Sequence, residues 1–210
     1  MAGRAPRPSK RNSGRGGPRG RFAVVAGRFN EDIVKRLVAG ALRVLSGAGL
    51  AEDAIEVHWV PGSFELPQAA QHLARTGRYA AIVCVGCVIK GQTPHFDFVA
   101  GQAAAGIQRV ALDTGVPATF GVITALTEEQ ALDRSGGEVG NRGEEAAHAA
   151  LEMATFVQSM HSRAGRRRRA PADNQLDRRG AGALRRRRAL GDNPPDRRGA
   201  GALRRRPGGK

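Results

Sequence analysis

Between residues 21 and 161, short β-branched apolar runs alternate with longer stretches whose apolar residues recur at helical spacing, and this alternation narrows the possible folds more than any other feature. The run FAVVA at 22–26 is apolar throughout and ends at Gly27, as in a strand covered on both faces. Asn30 then stands as a preferred helix N-cap. Glu31 and Asp32 follow where the helix dipole favours acids, and Ile33, Leu37, Ala41 and Leu45 share one face until Gly47 and Gly49. Ile55, Val57 and Trp59 alternate with Glu56 and His58 as far as Pro61-Gly62, which reads as a second strand. Further on, the pattern predicts a helix over 66–75, a central strand over 80–89, a helix over 97–112 and a strand over 118–124. A helix opened by a capping box of Thr127 and Gln130 follows, then a last helix over 144–161.

The resulting βαβαβαβαα order predicts an α/β fold. It is a three-layer αβα sandwich with a four-stranded parallel sheet, flavodoxin-like, with right-handed crossovers. Ligands in such sheets bind beyond the carboxyl ends of the strands. Four loops are expected there: Arg28-Phe29-Asn30, residues 61–65, residues 90–97, and the stretch just after Phe120.

Charge divides the chain differently from hydropathy. Residues 1–20 carry +6, residues 161–210 carry +13, and residues 21–160 carry −4, so the total of +15 belongs to the ends. The ends, residues 1–20 and 162–210, are Arg-, Gly- and Pro-rich with almost nothing to bury, and disorder is expected in both. In the C-terminal one, ADNQLDRRGAGALRRR at 172–187 recurs as GDNPPDRRGAGALRRR at 191–206, too few copies for a stacked solenoid. Such tails offer non-specific nucleic-acid binding at low salt, whereas the core, residues 21–161, gives no sign of a nucleic-acid binder. No run is long and apolar enough for a membrane span, and two cysteines are too few to staple a secreted scaffold, so a cytoplasmic protein is expected.

Cys84 and Cys87 form a CxxC, but inside a predicted strand, where positions three apart face opposite ways; buried apolar filling is expected rather than redox or metal chemistry. The stretch VIKGQTPHFD at 88–97 resembles a phosphate cradle. Gly91 admits backbone amides to an anion, Gln92 and Thr93 add donors, and a helix N-terminus follows. His95 lies in this Pro- and Gly-bounded loop, whereas His58 falls on a strand, His72 and His148 fall on helices and His161 falls at a helix end, where packing or solvated roles prevail. Phe29 either plugs the core or stacks on a planar heterocycle, and the residues alone leave both open.

Taken together, GRFN (27–30), VPGSFELP (60–67), GCVIKGQTPHFD (86–97), FGVIT (120–124), EQALDRSG (129–136) and GNRGEEAA (140–147) resemble the lumazine synthase family in order, spacing and content. The resemblance implies condensation of 5-amino-6-(D-ribitylamino)uracil with 3,4-dihydroxy-2-butanone 4-phosphate to give 6,7-dimethyl-8-ribityllumazine, phosphate and water, the penultimate step of riboflavin biosynthesis, with neither metal nor organic cofactor. It implies that Phe29 stacks on the pyrimidine, that Ser63, Phe64 and Glu65 contact the ribityl chain and ring edge, and that Val88, Ile89 and Lys90 line the ring site. Gln92 and Thr93 would hold the phosphate, with His95 as acid and base. Phe120 and Arg134 resemble residues that a neighbouring subunit supplies, to the ring and the phosphate respectively. Arg142 stands where relatives often carry lysine, Gln92 where they are commonly acidic or small, and Glu138 where many have a cation.

The same resemblance implies pentamers with interface active sites. The compact SGGEVGNRG at 135–143, with no insertion, goes in the family with an icosahedral 60-mer shell. Two alternatives share the core: a non-catalytic flavin- or lumazine-binding protein, and an RNA-binding protein relying on the tails.

Overall fold

A computed structural model describes residues 19–169 of the chain. The expectations for residues 1–18 and 170–210, including the tandem repeat, lie outside the described residues. Four strands, β1 (Arg21–Gly27), β2 (Ile55–Val60), β3 (Tyr79–Ile89) and β4 (Ala118–Ala125), form one sheet in the order β2-β1-β3-β4, and every neighbouring pair is parallel. Five helices accompany it: α1 (Glu31–Gly47), α2 (Leu66–Arg75), α3 (His95–Thr114), α4 (Glu128–Asp133) and α5 (Arg142–Arg169). A two-stranded antiparallel hairpin, β5 (Ser135–Gly137) with β6 (Gly140–Asn141), joins α4 to α5.

Strand alternation splits the core into two layers, as the period of two requires. Phe22, Val24 and Ala26 of β1 and Val83, Val85 and Cys87 of β3 face Leu37, Ala41 and Leu45 of α1 and Ala147 and Ala150 of α5. Ala23, Val25, Ile82 and Cys84 face Leu66 and Ala70 of α2 and Ile107 and Val110 of α3. The expected αβα sandwich is therefore present, and β1 and β3 are covered on both faces as their unbroken apolar runs require. Cys84 and Cys87 sit in opposite layers as free thiols, pushed up by burial to about 12 and about 11 respectively.

Several local expectations are corrected. Asn30 does not cap α1 with its side chain; it adopts a left-handed backbone, φ 58° and ψ 48°, and its amide turns elsewhere. The helix after β3 starts at His95 rather than residue 97, because Pro94 at its N-cap accepts the Asp97 amide through its carbonyl at 3.0 Å. The last helix starts at Arg142 rather than residue 144, since Asn141 Oδ1 accepts the Gly143 and Glu144 amides at 2.8 and 3.2 Å. It also runs past the expected end at His161 to Arg169, so residues 162–169, where disorder was expected, are helical: the stretch is rich in arginine, a good helix former, with no proline before Pro171. The capping box at Thr127 is present in shifted form: Thr127 Oγ1 accepts the Gln130 amide at 3.3 Å, and Gln130 Oε1 accepts the Leu126 amide at 3.0 Å.

Candidate functional site

The carboxyl ends of β1, β2 and β3 converge on a cleft of about 710 Å³. Three chain segments build it, each placed by a strand end. The turn after β1 contributes Phe29, held by the Arg28 amide on the Val60 carbonyl at 2.8 Å and the Phe29 amide on the Pro61 carbonyl at 3.2 Å. These bonds continue the β1–β2 ladder beyond the sheet and leave the Phe29 ring 72% exposed.

After β2, Pro61-Gly62 stops the strand, and a 3-10 turn, Ser63–Glu65, leads directly into α2. The turn presses against β3 so closely that a Cβ on Gly86 would lie 2.5 Å from Ser63 Oγ. Only glycine at position 86 lets a buried Ser63 sit there with Phe64 and Glu65 beside it in the cleft wall. The third segment is the end of β3 with the start of α3: Cys87, Val88, Ile89, Gly91, Thr93 and His95 all line the cleft. The Lys90 amide donates to the Ala125 carbonyl at 2.9 Å and so fixes this end of β3 against β4.

Of the residues singled out in the sequence, Phe29, Ser63, Phe64, Glu65, Val88, Ile89, Thr93 and His95 therefore share one cleft. Lys90 and Gln92 are exposed and interleave with lining residues without lining the cleft themselves. His95 is not a loop residue: it is the first residue of α3, which carries it at the helix's N-terminal end. Phe96, Phe98 and Val99 also line the cleft and were missed. Their signal was the aromatic pair in HFDFV at 95–99, which looks like a buried helix face but leaves Phe98 67% exposed.

Phe120 and Arg134 stand apart. The expected loop just after Phe120 does not exist, because β4 continues to Ala125 and Phe120 pairs with Cys84, five residues short of the end of β3. Phe120 is thus the third residue of an edge strand, exposed, set back from the carboxyl ends of the sheet and absent from the cleft lining. Arg134 Nη1 donates to the Gln130 carbonyl at 2.9 Å at the end of α4, and it too is absent from the lining.

The cleft is apolar along its aromatic sides and polar at Ser63, Glu65, Thr93 and His95, so it suits a flat ring bearing hydroxyls. Its described lining contains no Lys or Arg. Among the described residues no cluster of three or more His, Cys, Asp or Glu has the arrangement of a metal site, and no helix is long and apolar enough to cross a membrane. In comparison with known families, residues 19–158 match the model described as 6,7-dimethyl-8-ribityllumazine synthase, a span that takes in all four strands and every segment of the cleft. A match of that extent, over a sheet whose strand ends bring three of the six motifs, at 27–30, 60–67 and 86–97, to one cleft, places this chain in the 6,7-dimethyl-8-ribityllumazine synthase family, and with it in the lumazine-forming chemistry of riboflavin biosynthesis.

Proposed function

We propose that this chain condenses 5-amino-6-(D-ribitylamino)uracil with 3,4-dihydroxy-2-butanone 4-phosphate to give 6,7-dimethyl-8-ribityllumazine, phosphate and water. The observation that carries this reading is the make-up of the cleft: an aromatic wall at Phe29, polar groups at Ser63 and Glu65, and Gly91, Thr93 and His95 at the start of α3. In this reading Phe29 stacks on the pyrimidine, and Ser63, Phe64 and Glu65 take the ribityl chain and ring edge. Val88, Ile89 and Lys90 border the ring. Gln92 and Thr93 hold the phosphate near a helix N-terminus, whose unpaired amides favour an anion.

The uracil's 5-amino group forms an imine with the ketone and releases one water. Loss of a proton from the adjacent carbon then expels phosphate with the C–O electron pair. After tautomerisation, the ribityl-bearing nitrogen attacks the remaining carbonyl and a second water leaves. His95 moves protons in these steps, and most of the acceleration comes from holding two reactants in register. In this reading the reaction uses neither metal nor organic cofactor.

A phosphate in this cleft calls for a cation that the described lining lacks, and this supports a site completed by a second copy of the chain. Arg134 of the neighbour would meet the phosphate and Phe120 of the neighbour the ring, in a pentamer. The short β5–β6 hairpin supports twelve such pentamers closing into a 60-mer shell.

Lumazine formation followed by absorbance after mixing the two substrates tests the reading. Wild type and a chain ending at His161 are expected to be active, while Arg134→Ala fails to use the phosphate substrate. A soluble, assembled wild type that forms no lumazine would overturn it and favour a binding protein without catalysis.

A further inference from the structure

Among the described residues Asn30 alone combines a side chain with a positive φ. Asn tolerates the left-handed region better than most residues, but glycine adopts it without steric cost, so the conformation by itself does not require an asparagine. Nor does helix capping, since the side chain makes no cap bond to α1. Its amide instead crosses to the next strand but one in sequence: Nδ2 donates to the Cys87 carbonyl at 3.1 Å. The backbone carbonyl of Asn30 meanwhile accepts the Ile33 and Val34 amides, both at 3.1 Å.

The turn carrying Phe29 is thus anchored to both neighbouring strand ends. On one side it hangs from Val60 and Pro61 through two backbone amides; on the other it is pinned to β3 through Asn30 alone among its side chains. The pin reaches β3 at Cys87, immediately before Val88 and Ile89, which form the facing edge of the cleft. Phe29 is too exposed for packing to hold its ring, so its placement depends on the turn beneath it.

We infer that Asn30 is a positioning residue, which holds the Phe29 ring at a set distance from the Val88-Ile89 edge so that a planar heterocycle fits between them. The left-handed backbone is what aims the Asn30 amide at Cys87 rather than at its own helix. This rests on the proposed ring site. Asn30→Gly keeps the backbone conformation and removes the pin. Asn30→Asp keeps the shape and sets a carboxylate oxygen against the Cys87 carbonyl, two acceptors with no proton between them.

Binding is read with 6,7-dimethyl-8-ribityllumazine, whose own fluorescence reports stacking, for wild type, Asn30→Gly, Asn30→Asp, Phe29→Ala and the double variant Phe29→Ala/Asn30→Gly. Assembled Asn30→Gly is expected to bind about tenfold more weakly than wild type, with a raised KM for the uracil substrate and a smaller change in kcat. The double variant is expected to bind no worse than Phe29→Ala, because the pin acts through the ring. Additive losses in the double variant, or wild-type affinity in both Asn30→Gly and Asn30→Asp, would overturn the inference. Should Asn30→Gly fail to assemble, Asn30→Asp carries the comparison with Phe29→Ala. Wild type that neither binds the lumazine nor forms it refutes the ring site itself, an outcome separate from failure of the pin.

Discussion

Cys84 and Cys87 illustrate how much one residue's chemistry depends on its layer. A thiol attacks as its thiolate, and burial holds both of these protonated far above the usual range, so neither is expected to react with a disulfide reagent at pH 8 until denaturant is added. The linkage follows with a definite sign: once the pH passes about 8.5 the unfolded thiols ionise while the folded ones do not. Stability is therefore present below that value and declines as pH rises through the window up to the folded values of about 11 and about 12. Denaturant midpoints measured at pH 8 and pH 10, with Cys84→Ala as comparison, check the slope. At His95 the expectation is kinetic: His95→Gln lowers kcat by about 100-fold, the low end for a positioned proton-transfer group, while ligand affinity changes little. An unchanged kcat would remove His95 from the mechanism. The value of His95 as a candidate was legible because a histidine in a Pro- and Gly-bounded stretch stood out from four others on regular elements; that it opens a helix was not, because Pro94 reads as a breaker until its N-cap role is seen.

At the level of elements, Asn141 holds α1, the β5–β6 hairpin and α5 together. Its Nδ2 donates to the Arg36 and Ser135 carbonyls, each at 3.0 Å, while its Oδ1 accepts the Gly143 and Glu144 amides. Asn141→Ala strands several polar groups in a buried place and is expected to lower stability by about 2 kcal/mol or more, read as a shifted denaturation midpoint. Next to it α5 begins so close to α1 that a Cβ on Gly143 would lie 2.0 Å from the Leu37 carbonyl oxygen. Gly143→Ala must push the helices apart and is expected to destabilise comparably, whereas the exposed Gly91→Ala, with nothing within 4 Å, should not. None of this was visible in SGGEVGNRG, because a three-residue strand paired with a two-residue one has no apolar alternation to betray it. The edge strand β2 is tied at its start by Glu56, whose carboxylate accepts the Tyr79 hydroxyl and faces Arg21 and Arg78. The Tyr79 hydrogen bond first, then the two guanidinium groups, hold Glu56 below the ordinary carboxylate range, so its contribution is present above that range and lost as pH falls through the lowered value.

For the whole molecule, the proposed assembly predicts a sedimentation coefficient far above that of a 22.2 kDa chain, and a boundary at the pentamer alone would sink the 60-mer. The basic ends make a separate prediction: the full chain is retained on a polyanion column at low salt and released as salt rises, while the chain ending at His161 is not retained and still forms lumazine. The two behaviours separate because charge and fold occupy different parts of the sequence. The order of strands and helices, the two-sided burial of β1 and β3, the split of Cys84 from Cys87 and the motifs that meet in the cleft were all legible in the sequence, since each depends on local periodicity or on residues at strand ends. Tertiary structure alone decided the rest: that Asn30 reaches Cys87, that Gly86 makes room for Ser63, that Phe96 and Phe98 join the cleft, and that Phe120 lies on an edge strand away from it. Those facts join residues far apart in sequence through packing distances of a few ångströms, and periodicity carries no information about such distances.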